Sequence, residues 1–473
     1  MRNPMFVFDE RTTDLVLSYC RERLELDPVP LDYGGYATDF SGMLDGIIGP
    51  AGNDPQKVLD LFASSLSTAV VSIDSPRFLS FIPAAPTKAA LLFDMVVSCS
   101  SLNGTSWLLA AGAVAAENQA IGVLAELAGL PPEAGGTFVS GGSAANLSAL
   151  LVARDTAYAP NGPMAASPPG VRPRVAVSAE AHSSVIKAIH ILGADLLVVP
   201  TPDHRLTGSC LEVALDAARG DGGGPVVAVV GTGGTTNAGI VDDLASTGAV
   251  ARERGIWFHV DAAYGGGALF SPVARTRFAG IEQADSVAID PHKWLFAPYD
   301  CAALLYRDPS LAKAVHTQDA AYLAVFHTTP RAPGQPPAGR RGGGDEPWNP
   351  TDYAFQLSRR PRGLPLWFSL AVHGTDAYRE AVEAALETAK ETARLIQATP
   401  HTELLREPEL SIILFRRPGW TRDDYDAWSA KLLADQIALC VPTTWEGEPV
   451  ARLALLHPET TLAVIQQVLD SMA

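Results

Sequence analysis

Three apolar runs in this chain end in residues with chemistry to offer. Residues 256–260 lead into Asp261, then Ala262, Ala263 and Tyr264, so a carboxylate stands at a predicted strand tip beside small residues that allow close approach. Residues 286–289 lead into Asp290-Pro291-His292-Lys293-Trp294, which puts an amine at a second tip. Residues 137–140 lead into Gly141-Gly142-Ser143-Ala144-Ala145-Asn146, a turn that opens a helix. Free N–H groups there, the helix dipole and the Ser143 hydroxyl suit a phosphate. Alone, a carboxylate after a strand is ordinarily a cap and a lysine ordinarily a solvated charge. Together, an amine, a carboxylate and a phosphate cradle are what pyridoxal phosphate requires. Lys293 would form the Schiff base and Asp261 would keep the pyridine nitrogen protonated. His182, after a further strand-like run, is a candidate to lie against the ring face.

Other chemistries explain less. The glycine turn has no G-x-G-x-x-G, and no G-x-x-x-x-G-K-[ST] occurs anywhere, so dinucleotide and P-loop readings lack support. Ser143, Asp261 and His292 occur in the order of a serine hydrolase triad, with the glycine turn as a nucleophile elbow, but that reading leaves Lys293 unexplained. The five cysteines are widely spaced with no C-x-x-C pair, so no metal site is expected and free thiols are.

The elements that must position these residues follow from alternation. Short β-branched runs at 175–178, 196–199, 226–230, 256–260, 286–289 and 302–306 alternate with helical stretches, which predicts a mostly parallel sheet covered by helices. Residues 244–254 form the clearest crossover helix, ended by Gly255. Residues 1–85 read as an arm or wrapping segment, 86–365 as the large domain and 366–473 as a smaller α+β domain. Residues 329–347, rich in Pro, Arg and Gly, read as a functional or disordered loop.

Composition narrows the function classes. The 473 residues carry a net charge of −17, which disfavours a phosphate-tracking nucleic-acid binder. Apolar residues make up 47% and charged residues 18%, the balance of a folded globular protein. Runs such as 108–116 fall short of the roughly 20 residues needed to cross a bilayer, so no membrane span is expected. Asp9 and Glu10 stand where a secretory leader needs its apolar centre, so a cytoplasmic location is expected.

The motifs occur in a telling order: Ser75-Pro76-Arg77-Phe78, Ser140-Gly141-Gly142-Ser143, Ala181-His182-Ser183-Ser184-Val185, Gly234-Thr235-Thr236, His259-Val260-Asp261-Ala262-Ala263-Tyr264 and Pro291-His292-Lys293-Trp294. From about Phe62 to His457 the chain resembles the group II pyridoxal-phosphate amino-acid decarboxylases, the family of aromatic-L-amino-acid decarboxylase. The resemblance implies a type I, aspartate aminotransferase-like fold with a seven-stranded sheet, and a homodimer with sites between subunits. It implies that Gly142, Ser143 and His292 hold the phosphate, near Asp290. It also implies that His182 stacks on the ring, that Thr236 and Asp242 line the other side, and that Ala263 packs beneath it. The family's mobile loop, here about 320–358, carries a tyrosine that returns a proton after carbon dioxide leaves. Asn349-Pro350-Thr351-Asp352-Tyr353 resembles that loop's end, which makes Tyr353 the general-acid candidate reaching the neighbouring subunit and favours plain decarboxylation over aldehyde formation.

Departures from the family bear on tuning and substrate. Asp290 stands where some relatives have asparagine, which adds charge near the phosphate unless it is paired. Phe81, Ile82, Pro83 and Ala84, with Thr105 and Trp107, fall where the family builds its side-chain pocket. The pocket is apolar and lacks an arginine for an acidic side chain. The expected reaction is decarboxylation of an aromatic L-amino acid (tryptophan, phenylalanine or tyrosine) to its amine, with aliphatic and diamino substrates or an aldehyde product as alternatives.

Overall fold

The computed structural model describes residues 3–33, 40–83, 85–162, 164, 165, 167, 169–327 and 347–473. Its centre is a seven-stranded sheet of β1 (Gly135–Val139), β2 (Arg174–Ser178), β3 (Asp195–Val199), β4 (Val226–Thr232), β5 (Trp257–Asp261), β6 (Ser286–Ile289) and β7 (Ala302–Tyr306). The spatial order is β1-β7-β6-β5-β4-β2-β3. Four neighbouring pairs are parallel, and β7 runs antiparallel to both β1 and β6. The carboxyl ends of β1, β2, β4, β5 and β6 therefore lie along one edge, joined there by the amino end of β7.

The strands are apolar on both faces because both faces are covered. Val175, Val177, Ala288 and Leu304 pack on one side with Ala145, Ala149 and Leu150. Ala176, Phe258, Val260 and Ile289 pack on the other with Leu244, Phe278 and Trp294.

The helices include α1 (Glu10–Glu25), α2 (Trp107–Leu127), α3 (Gly142–Ala157), α4 (Ser183–Ile191), α5 (Leu244–Arg254) and α6 (Leu364–Ala398). Asp243 caps α5 by accepting the Ser246 N–H at 3.1 Å, and Gly255 ends it in the left-handed region (φ 64°). Helix α6 runs across the boundary expected at 365/366 and breaks at Gly374 (φ 76°). At 21 residues, α2 is long and apolar enough to cross a membrane by length and composition, more than the apolar runs predict. Its C-terminal part packs inward, with Ile121 and Leu124 buried in the main cluster and Glu117 buried in an ion pair with Arg359, while Leu108 and Leu109 near its start are exposed.

The C-terminal part carries a four-stranded antiparallel sheet, in the order β10-β11-β9-β8. Its strands are β8 (Glu403–Leu404), β9 (Ile412–Arg416), β10 (Thr443–Trp445) and β11 (Glu448–Ala454). Glu446 and Gly447 turn β10 into β11 with φ of 49° and 84°, the left-handed pair that a two-residue hairpin requires.

Candidate active site

The shared edge of the large sheet opens onto a cavity of about 390 Å³, the size of a small-ligand pocket. It brings together Gly142, Ser143, His182, Thr236, Asp261, Ala263, Asp290, His292 and Lys293. A larger hollow of about 580 Å³ lies at the opposite end of the strands, lined by Arg252, Trp257 and Arg307 among others, and holds none of these groups.

Each side chain is delivered by a strand end or a helix start. Asp261 closes β5; its carboxylate accepts the Ala263 N–H at 3.1 Å and the Asn146 amide at 2.8 Å. Lys293 sits in a four-residue helix directly after β6, its Nζ 3.0 Å from Asp290 Oδ2. Burial pushes the lysine down, but the Asp290 and Asp261 carboxylates outweigh it and hold Lys293 above its ordinary value. Asp290 feels the reverse: burial raises it, and Lys293 with His292 brings it below the usual carboxylate range. His292 accepts the Cys301 N–H on Nδ1 at 3.0 Å, and Tyr299 packs over its ring at 4.5 Å. His182 caps α4, its Nδ1 accepting the Ser184 N–H at 3.2 Å.

The cradle is built for close approach. A Cβ on Gly142 would come within 3.0 Å of Asp290 Oδ2 and 3.1 Å of the Ala263 Cβ, so any side chain there would press on both. Asp290 Oδ2 accepts the Gly142 N–H at 3.1 Å, while its buried Oδ1 has no hydrogen-bond partner among the described residues. A buried amine for an aldehyde, a strand-tip carboxylate for a ring nitrogen, and the start of α3 with the exposed Ser143 for a phosphate together fit pyridoxal phosphate.

Several expected residues lie elsewhere. Asp242 does not face the cavity. It is 1% exposed, and its two oxygens accept the Leu206 and Thr232 N–H groups, each at 2.7 Å. Burial lifts it to about 7 against those donors, so it pins the chain beside β4. Tyr353 does not line the cavity within one protomer: it is 3% exposed in its own subunit's core, stacked on Trp348 at 4.1 Å. Motif position cannot reveal which way a ring faces, and the stack decides it.

Of the expected substrate pocket, Phe81, Ile82, Pro83, Thr105 and Trp107 do not line the cavity within one protomer, and Ala84 lies outside the described residues. Thr105 is buried, and the Trp107 N–H is held by Asn349 Oδ1 at 3.0 Å. Phe81 is 60% exposed with a left-handed backbone (φ 51°). Buried Arg452 grips its carbonyl at 2.9 Å and the Thr236 carbonyl at 2.6 Å, which ties Phe81 to the cavity rim. Burial lowers Arg452 to about 10, against the pull of Tyr264.

The cavity also contains residues that motif reading left without a role. Asn146 follows Gly142 by four residues, on the same face of α3, a spacing visible in the sequence. Tyr299 arrives because β7 runs antiparallel, which no local pattern announces. Tyr264 is locked to the C-terminal part by Ser411 at 2.7 Å, and burial raises it to about 12.

Known proteins share this architecture. An aromatic-L-amino-acid decarboxylase of Bacillus atrophaeus is 29% identical over 88% of this chain and 85% of its own length. An L-2,4-diaminobutyrate decarboxylase of Rhizobium meliloti is 31% identical over 85% of this chain and 78% of its own. The structure superposes on that of Oryza sativa TDC, crystallised with PLP and tryptamine, with a TM-score of 0.86, 24% identity and 100% of both chains covered. Residues 49–417 match the pyridoxal-dependent decarboxylase conserved domain. With most of its length inside that domain, and with an amine, a carboxylate and a helix start converging on one cavity, the chain belongs to the pyridoxal-phosphate-dependent amino-acid decarboxylases.

Proposed function

We propose that this enzyme converts an aromatic L-amino acid into its amine and carbon dioxide. The observation that carries the aromatic assignment is Phe81, an exposed ring held in a left-handed conformation and tied to the cavity rim through Arg452. Such strain is retained where the surroundings enforce it, commonly at ligand sites.

Bound pyridoxal phosphate supplies an electron sink for the bond to the leaving carboxylate. Lys293 would hold its aldehyde carbon, Asp261 its ring nitrogen, and the start of α3 with Ser143 and His292 its phosphate. His182 and Ala263 would bear on the ring, with Thr236 at its edge. Asp261 is fixed by two donors before any ligand arrives, which is what electrostatic stabilisation requires.

An acid must return a proton to the carbon that loses carbon dioxide. With Tyr353 in the core, we assign this role to Tyr322, which is 72% exposed near the start of the 320–358 segment, where a second subunit's site could receive it. Tyr299, packed at a tilt against His292 inside the cavity, is the competing candidate. A homodimer is supported by the N-terminal segment, where Phe6 and Phe8 are 80% and 77% exposed and α1 buries no residue.

A diamino acid is the second reading, favoured by the diaminobutyrate decarboxylase at 31% identity. It needs a carboxylate for the distal ammonium. The two that line the cavity, Asp261 and Asp290, are already engaged by Asn146 and Lys293.

Borohydride reduction with peptide mapping should place the cofactor on Lys293. A panel of L-amino acids should then release carbon dioxide fastest from tryptophan, phenylalanine or tyrosine, with amine rather than aldehyde and peroxide as product. Fastest release from 2,4-diaminobutyrate would install the second reading instead. Tyr322→Phe should suppress amine formation; suppression by Tyr299→Phe alone would reassign the acid.

A further inference from the structure

Asn146 is 1% exposed, and its amide stands at the centre of a chain of polar side chains. Its Nδ2 donates to Asp261 Oδ2 at 2.8 Å and to Ser184 Oγ at 3.1 Å. Its Oδ1 lies 2.9 Å from His259 Nε2. On the far side, His259 Nδ1 is 2.8 Å from Ser286 Oγ, which also accepts the Trp257 indole N–H at 2.8 Å. On the near side, Ser184 Oγ is 2.8 Å from His182 Nδ1.

Chemistry allows this chain one direction. A carboxylate only accepts, so Asn146 must turn its NH₂ toward Asp261, leaving its carbonyl for His259 Nε2–H. His259 therefore carries its proton on Nε2. Its bare Nδ1 then takes the Ser286 hydroxyl proton, while the Ser286 oxygen accepts the indole N–H. Ser184, accepting from Asn146, donates to His182 Nδ1. That nitrogen already accepts the Ser184 backbone N–H at 3.2 Å, so the His182 proton stands on Nε2. His259 is fully buried, and burial lowers it to about 4 against the pull of Asp261, which keeps the link neutral.

We infer that Asn146, held by His259, is a positioning residue that sets both the orientation of the Asp261 carboxylate and, through Ser184, the tautomer of His182. One amide thus aligns the acid assigned to the cofactor's ring nitrogen and the imidazole assigned to its face. This role for Asn146 rests on those assigned to Asp261 and His182 in the proposed function. Outer partners of this kind, when removed from other ligand-holding sites, cost about 10- to 100-fold.

The test uses holoenzyme labelled with ¹⁵N-histidine, assigned with the His182→Asn and His259→Gln variants. The wild-type spectrum should show both imidazoles protonated on Nε2. Asn146→Leu should leave His182 as a mixture of tautomers, change the ratio of the bound cofactor's visible bands, and lower kcat about 10- to 100-fold with little change in KM. His259→Phe should behave likewise. His259→Gln, whose amide can donate to Asn146 Oδ1, should recover most of what His259→Phe loses. His182 protonated on Nδ1, or a loss confined to KM, would overturn the inference. So would Asn146→Leu with wild-type bands and tautomers. If Asn146→Leu does not fold, the two His259 variants decide. A wild-type protein without a cofactor band would fail the functional reading, while the tautomers would still judge the chain.

Discussion

Asp290 and Lys293 form a buried ion pair at 3.0 Å, and the same Asp290 oxygen accepts the Gly142 N–H at 3.1 Å. One carboxylate therefore holds both the amine and the first donor of the helix start. A phosphate placed there meets that negative charge, and the amine must be neutral to attack an aldehyde. Burial depresses Lys293, and Asp290 is the largest influence lifting it. Asp290→Asn keeps an acceptor for Gly142 and removes the charge, so Lys293 should lose its proton at lower pH. Capture of pyridoxal phosphate by apoenzyme, followed by stopped-flow absorbance, should accelerate with rising pH in both proteins, with the rise displaced to lower pH in the variant. A displacement to higher pH, or none, would contradict this role.

Glu117 and Arg359 join α2 to the segment before α6 through two contacts of 2.7 and 2.8 Å, with both side chains under 5% exposed. Arg359 also donates to the Gly104 and Phe138 carbonyls, and Gly363 N–H donates to Glu117 at 2.8 Å. Removing one partner strands the other charge out of water, so Glu117→Ala should cost about 3–5 kcal/mol. The double variant Glu117→Leu/Arg359→Met should lose less than the single one. Urea unfolding at fixed protein concentration measures both, and a double variant worse than Glu117→Ala would reject the account.

His204 bridges the two parts of the molecule, with Nδ1 2.8 Å from Glu180 and Nε2 3.2 Å from Glu446, over the Trp445 ring at 4.1 Å. Burial lowers its affinity for a proton, but the two carboxylates reverse this and raise it above 6.5. A raised folded value means the stabilisation is complete below the unfolded value of about 6.5 and fades as pH climbs through the folded one. Wild type should exceed His204→Gln by up to about 1 kcal/mol on the acid side, and the gap should shrink on the alkaline side. A gap that widens with rising pH would show the wrong sign.

Where local pattern decides the outcome, the sequence is a good guide. Strands β6 and β7 fall where their apolar runs predict, and α5 ends where expected, at Gly255, which takes the left-handed cap conformation. The cofactor cluster was legible for a related reason, since each member sits just past a strand end. What escaped depends on direction rather than position. His259 reads as one more strand residue until β5 and α3 pack and place Asn146 against it, 113 residues away in sequence. Asp242 looked like a site carboxylate, yet two backbone N–H groups turned it inward. β8, with two residues, and β10, with three, are too short to carry an alternation.

Tyr353 gives the sharpest separation between a site residue and a core residue. Its ring lies nearly parallel to Trp348, at 16° and 4.1 Å, within a cluster that includes Val139, Ala144 and Ala354. Removing such a ring leaves a cavity that the rigid sheet face cannot close, so Tyr353→Ala should lose about 3–5 kcal/mol. Tyr353→Phe preserves the ring and the stack, so its kcat should stay close to wild type. Tyr322 is exposed and buries little, so Tyr322→Phe should leave unfolding unchanged while it suppresses amine formation. Urea curves and turnover measured on the same preparations test both halves at once. Loss of turnover in Tyr353→Phe with unchanged stability would return the proton-donor role to Tyr353, and would require the Trp348 stack to open during the reaction.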